Sequence, residues 1–247
     1  MDGWTWVEGT INAPPQAVFQ WFADDSDHLP LIVPQVRVVG PVERERLANG
    51  GLRMRARLKF LWTTREVVAE DTVYEPYTLL RGLTQGGASM VEGEKRFTPV
   101  PGGTHTVWGT RLAKLGFSSR LIRLLLPAYT RLSTRISLLQ GLARSRAALE
   151  VAPQTHTVTE PAWAAVRVPT PTPVPFAWLR LGSLLMGVVV ALVIDTALEI
   201  IWPPLFIDQL LHLASFGIYV VLVVLCVQLL SMVALRLVPT RLPDSSR

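Results

Sequence analysis

From Leu213 to Leu235 the chain carries no charged residue. A helix needs about 20 predominantly apolar residues to cross the hydrocarbon of a bilayer, and this run supplies them. A second apolar run, Trp178 to Trp202, comes before it but holds two acids, Asp195 and Glu199. Pro203 and Pro204 break the chain between the runs. The pattern predicts a two-helix transmembrane hairpin within 176–240, with spans near 178–202 and 210–238. Two helices buried in a soluble core are the other structure such runs can build, but an uncharged run this long is uncommon outside bilayers.

The flanks set an orientation. Arg167 and Arg180 precede the first run, and Arg236, Arg241 and Arg247 follow or end the second. The turn holds Asp208 and neither Lys nor Arg. Positive residues stay on the cytoplasmic side. The N-terminal part and the tail at 241–247 are therefore expected in the cytoplasm, on an integral protein of the cytoplasmic membrane. The start, Met1-Asp2-Gly3-Trp4, lacks the pattern of a signal peptide.

Asp195 and Glu199 are four residues apart and share one helix face. Ser183, Gly187 and Ala191 continue that face, and small residues at this spacing let membrane helices approach closely. Glu199 is expected level with His212. Acids inside a membrane often mark an ion or proton path. Two helices alone cannot build one, so a contact near the headgroups is the favoured role. The hairpin also offers a face to a membrane-protein partner or a second copy.

Only 17% of the 247 residues are charged, and the net charge is +5. A basic balance points to nucleic acid or an anionic membrane surface. No basic platform interleaved with aromatic residues appears, so nucleic acid is not the expected partner. Cys226 is the one cysteine, and the four histidines, at 28, 105, 156 and 212, lack ligand spacing. No nucleotide-binding glycine loop, HExxH or GxSxG motif occurs. No cofactor and no metal are expected. "ADDSDH" (Ala23–His28) crowds three carboxylates and an imidazole, but it reads better as a helix end followed by an N-cap. "VPTPTPVP" lies in a linker at 151–175, a semi-rigid extended spacer.

Residues 1–150 read as a separate domain that folds by itself. "WTWVEGTI" alternates like a strand, and "APPQAVFQWFAD" starts a helix at its prolines. A short second helix or turn is expected near Asp25–Leu31. In "GLRMRARLKF", Arg53, Arg55, Arg57 and Lys59 take one face, and Leu52, Met54, Ala56, Leu58 and Phe60 take the other. More strands follow, about six in all, and then a long helix toward Glu150. Pro127 is expected to kink or break that helix.

This order, with "INAPPQAVFQWFAD", the proline of "LIVPQV", "RFTPVPGGTHTVWGTRL" and the final "AALE", resembles the START-like SRPBCC superfamily of polyketide cyclases/dehydrases and lipid-transfer proteins. The resemblance spans roughly Trp4 to Glu150. It implies an α+β helix-grip fold, a curved antiparallel sheet around a long C-terminal helix, with an apolar cavity between them. Cavity candidates are Met54, Leu58, Phe60, Trp108, Leu124, Leu125, Leu132 and Ile136, although each could equally fill a solid core. Glu92, Glu94 and His105 are the strand residues able to act as acid or base, but no pair has a telling spacing. Arg53, Arg55, Arg57 and Lys59 are candidates for contact with anionic lipid, or an ordinary solvated face. Arg120, Arg123, Arg131, Arg135, Arg144 and Arg146 give the long helix a similar stripe.

Three functions fit. One is membrane-anchored binding or transfer of a lipid, isoprenoid or quinone. Another is a cyclase- or dehydrase-like enzyme on a membrane-soluble substrate. The third is a structural or regulatory membrane subunit. The resemblance does not itself imply catalysis.

Overall fold

The computed structural model describes residues 3–23, 36–60, 63–114, 124–151, 178–201 and 209–243. They build eight strands and four helices: β1 (Thr5–Ile11), α1 (Pro15–Ala23), β2 (Val36–Val38), β3 (Glu43–Arg46), β4 (Leu52–Phe60), β5 (Thr63–Glu75), β6 (Leu79–Gly86), β7 (Ser89–Val100), β8 (Gly103–Lys114), α2 (Pro127–Val151), α3 (Leu179–Ile201) and α4 (Gln209–Leu237). The expected short helix or turn near Asp25–Leu31, the linker core and the "ADDSDH" cluster beyond Ala23 lie outside the described residues.

All the strands belong to one antiparallel sheet, in the order β1-β8-β7-β6-β5-β4-β2, with β3 also on β4. From β4 through β8 the chain moves by tight hairpins. Gly87 and Gly102 turn two of them at φ 61° and 82°, a backbone region that favours glycine. Pro15 opens α1, where its missing N–H is no loss. Val18, Phe19, Trp21 and Phe22 give that helix its buried side. Phe19 meets the rings of Tyr74, Tyr77 and Phe97 edge-on, with centroids 5.2–5.6 Å away.

The chain forms two compact units. The first is Met1–Ser119, Ser137–Val174 and Thr240–Arg247, and the second is Arg120–Ile136 and Pro175–Pro239. This departs from the sequence-based division into 1–150, 151–175, 176–240 and 241–247 in two places. Leu124–Ile136 group with α3 and α4, and Thr240–Pro243 group with the sheet. Hydrogen bonds give the reason for the first. The Gln228 side chain accepts from the Ala128 N–H at 2.9 Å, filling an open position at the start of α2. Arg135 Nη1 donates to the carbonyls of Leu235, at 2.9 Å, and Val238, at 3.3 Å, near the end of α4. Burial holds the Arg135 pKa below its ordinary value. Arg135 is thus a helix-end ligand and not part of a solvated stripe. Pro127 marks a break, as expected: Leu124 and Leu125 are helical, Leu126 is not, and α2 begins at the proline. A proline's fixed φ and absent N–H suit the first turn.

Within the first unit, the later part of α2 lies on the sheet at β1. Glu150 Oε1 accepts the Asn12 N–H at 3.3 Å. A Cβ on Gly9 would come within 3.1 Å of Leu142 Cδ2, so the missing side chain admits the helix.

Within the second unit, α3 and α4 pack antiparallel. Ser183 meets Ser231 (Oγ–Oγ 3.5 Å), and Gly187 lies against Val227. Ser183, Gly187 and Ala191 are buried on this seam, as their spacing predicts. The opposite faces leave Leu185, Val189, Leu192, Val221, Leu225 and Leu229 exposed. Among the described residues, Gly217–Leu237 is the segment long and apolar enough to cross a membrane, with mean hydropathy 2.7. α3 offers a shorter apolar stretch, Leu181–Ile194. Among the described residues, the expectation of two spans is therefore met in length and composition by α4 alone. The side chains of Asp195, Glu199 and His212, and the contact expected between them, lie outside what the structure describes.

The seam makes a prediction. A Cβ at Gly187 would sit 2.4 Å from Val227 Cγ2 and 3.0 Å from the Val227 backbone. Gly187→Ile should force α3 and α4 apart. A disulfide engineered between positions 183 and 231 should form readily in the parent. Its yield should fall about tenfold in the Gly187→Ile background, because disulfides demand close Cβ atoms. Equal cross-linking in both proteins would refute this packing.

Candidate ligand cavity

The two faces of the sheet have different jobs. Period two puts Met54, Ala56 and Leu58 on one face of β4. Register carries that face across the sheet: Met54 to Ala69, Ala69 to Thr84, Gly82 to Gly93 and Lys95 to Trp108. A cavity of about 180 Å³ opens on it, walled by Phe22, Met54, Leu58, Val67 and Leu80. Gly82 and Gly93, paired across β6 and β7, form part of the wall. A Cβ at Gly93 would meet nothing within 4 Å, so glycine there leaves open space.

The lining includes the ionisable residues Lys95, Glu70 and Asp71. Lys95 Nζ is 3.4 Å from the Phe22 carbonyl and stands over the rings of Phe22 and Trp108, at 5.1 and 5.5 Å from their centroids. Aromatic faces stabilise such a cation. Asp71 Oδ2 accepts the Leu52 N–H at 2.9 Å, which ties β5 to the start of β4. The Glu70 carboxylate is taken up by Arg53, 3.0 Å away.

The eight cavity candidates separate. Met54 and Leu58 line the cavity. Trp108 lies beside it, its ring 5.6 Å from Phe22. Phe60 ends β4 in register with Thr63, and its side chain is outside the described set. Leu124, at 78% exposure, and Leu125 are exposed, belong to the second unit and do not line this cavity. Leu132 and Ile136 are fully buried, but they belong to the second unit and are not in the lining. Helical spacing correctly marks these residues as one apolar stripe. It cannot show that the early part of α2 joins the hairpin. Lys95, Gly82 and Gly93 were missed. The available signal was a lysine and two glycines placed where strands would otherwise carry apolar residues.

The acid–base candidates are on the other face. Glu94 is 1% exposed yet is held between Arg81 and Arg96, with Arg96 Nε at 2.6 Å. Burial pushes its pKa up, but hydrogen bonds from Arg81 and Arg96, and their charges, outweigh this and hold it below the ordinary 4.5. Glu92 pairs with Arg111 at 2.5 Å and with Arg81 at 3.9 Å. His105 faces Glu8 at 3.5 Å. Arg111 and Arg96 stack over Trp4 and Trp6, whose own rings are 4.9 Å apart. Gly109 gives Trp6 room, because a Cβ there would fall 2.2 Å from its ring. This is a structural network of ion pairs and rings, remote by strand parity from the cavity chemistry.

The basic stripe of β4 shares that outer face, and it is largely neutralised. Arg53 binds Glu45 and Glu70 at 3.1 and 3.0 Å. Arg55 binds Glu43 and Glu66 at 3.9 and 3.0 Å. Arg57 lies opposite Glu66 in register, and Lys59 opposite Thr64. A stripe cancelled by neighbouring strands attracts anionic lipid weakly.

Residues 7–126 match the family described as polyketide cyclase/dehydrase and lipid transport. That match covers the sheet and α1 but neither α3 nor α4. No curated protein matches the chain. Solved structures resemble it at low identity. TTHA0849 from Thermus thermophilus is 22% identical, covering 57% of this chain and 96% of its own, with TM-score 0.42. Ara h 8.0201 is 17% identical over 49% of this chain and 87% of its own, with TM-score 0.37. The Zhui aromatase/cyclase of Streptomyces sp. R1128 is 14% identical over 46% of this chain and 68% of its own, also with TM-score 0.37.

Proposed function

We propose that this protein binds or transfers an apolar small molecule, such as a lipid, isoprenoid or quinone, in the cavity of its sheet domain while anchored in a membrane by α3 and α4. The observation that carries the reading is the cavity at the paired glycines, walled by Phe22, Met54, Leu58, Val67 and Leu80. The family's description includes lipid transport, which suits such a cavity. The exposed apolar faces of α3 and α4 suit hydrocarbon far better than water. An anchor keeps the cavity close to the phase where apolar ligands dissolve, raising their effective concentration without new contacts.

Binding is favoured over catalysis because Glu92 and Glu94 sit on the outer face in ion pairs with arginines, and His105 faces Glu8 on that same face. The arginine asymmetry supports a cytoplasmic domain and tail. The test is lipid analysis of the full chain purified from membranes in mild detergent. One class of apolar molecule should co-purify at about one per chain and exchange into acceptor vesicles. Conversion of the recovered molecule on incubation with the protein would favour the cyclase- or dehydrase-like reading. Recovery of bulk lipid composition alone would sink both.

A further inference from the structure

Thr240–Pro243, just after α4, turn back onto the sheet. Leu237 closes that helix, and Thr240 already meets β1. The Glu8 N–H donates to the Thr240 carbonyl at 2.9 Å, and the Leu242 N–H donates to the Glu8 carbonyl at 2.7 Å. Glu8 and Arg241 form a parallel bridge. β1 lies at the edge of the sheet, so the tail covers backbone groups that an edge leaves open. Leu242 is 3% exposed and sits at Gly9, where a Cβ would come within 2.9 Å of its own Cβ. Arg146 Nη1 on α2 donates to the Pro243 carbonyl at 2.6 Å, holding the tail from a second side.

We propose that the tail is a strap that closes only on a chain crossing the membrane an even number of times, and then locks that topology. The inference rests on the anchoring reading above. β1 precedes both apolar helices, and Thr240–Pro243 follows both. A chain that crosses a bilayer once between two segments leaves them on opposite sides. Segments hydrogen-bonded to each other lie on the same side, so the number of crossings between them is even. α4, long enough to span, therefore cannot span alone. α3 crosses with it, despite a shorter apolar stretch and two acids, and the helices insert as an obligatory pair. The buried seam of Ser183, Gly187 and Ala191 gives the pair its contact. The strap closes only after both helices are in place. It thus links completion of the anchor to sealing of the sheet edge.

The experiment uses full-length protein in native membranes, with Cys226→Ala as background. Glu8→Cys with Arg241→Cys should form an intramolecular disulfide under mild oxidation, about tenfold above a control pair of Ala48→Cys with Arg241→Cys, because pairing raises local concentration. Single cysteines at Ala48 and Ser246 should react with an impermeant maleimide from one side of the membrane, and one at Asp208 from the other. Absence of the Glu8–Arg241 cross-link in inserted protein would overturn the strap. Labelling of Asp208→Cys from the same side as Ala48→Cys would overturn paired crossing. Release of the protein by alkaline carbonate, with the cross-link still formed, would instead overturn the anchoring reading and with it the crossing.

Discussion

Replacing Gly93 by phenylalanine should empty the cavity of ligand while leaving the sheet folded. Gly93 sits mid-strand on β7, opposite Gly82, and space for a side chain is open above it. Strand interiors favour aromatic residues over glycine, so the change should hold or raise thermal stability. The new ring would project into a cavity of about 180 Å³. Co-purifying apolar ligand should drop about tenfold or more, and the Kd for an apolar fluorescent probe such as anilinonaphthalene sulfonate should rise by a similar factor; tenfold corresponds to about 1.4 kcal/mol of binding. Undiminished ligand recovery in a folded Gly93→Phe protein would show that binding occurs elsewhere. Met54→Ala widens the same wall and gives an independent check: it should retain ligand or accept a bulkier one.

The second large effect concerns Glu94. Its carboxylate is buried between Arg81 and Arg96 on the outer face of the sheet. Removing it takes away hydrogen bonds between charged groups, which are typically worth about 1.5–3 kcal/mol. Both arginines reach solvent and Arg81 still faces Glu92, so Glu94→Ala should cost about 2 kcal/mol. In a protein of this size that lowers Tm by about 6 °C. Ligand binding per folded molecule should not change, since the side chain lies on the face away from the cavity. A selective loss of binding or catalysis at full stability would make Glu94 functional.

The same group predicts a pH dependence. Its folded pKa is lowered below 4.5. The unfolded chain therefore takes up the proton first as pH falls, and the stability this pair provides is present above the unfolded value. That stability is lost as pH falls through the folded pKa. Parent Tm should decline more steeply below about pH 4.5 than that of Glu94→Gln, which has no carboxylate at this position to titrate. Parallel melting curves between about pH 3 and pH 6 would refute the linkage.

Much of this molecule is legible along the chain. Alternation in "GLRMRARLKF" separates a cavity-side face from an outer face, because successive strand side chains must point opposite ways. The small-residue spacing of Ser183, Gly187 and Ala191 marks a helix contact, because residues four apart lie on one helix face. The long uncharged run that includes Gly217–Leu235 marks a membrane-length helix by composition alone. These are local consequences of backbone geometry and hydrophobicity, and they need no knowledge of partners.

Tertiary structure decided the rest, and in each case the cause is a contact between residues far apart in sequence. Arg53 and Arg55 look like free cations until β3 and β5 bring Glu43, Glu45, Glu66 and Glu70 beside them. Glu92 and Glu94 look available for chemistry until strand parity and Arg81, Arg96 and Arg111 commit them to the outer face. Leu132 and Ile136 share an apolar stripe with the rest of α2, yet Gln228 and Arg135 assign that end of the helix to the hairpin unit. The tail carries no pattern of a strand. It pairs with β1 because an open sheet edge supplies backbone partners, and Gly9 supplies room for Leu242. Periodicity fixes which way a side chain points within its element. Which neighbour it then meets depends on how the elements come together.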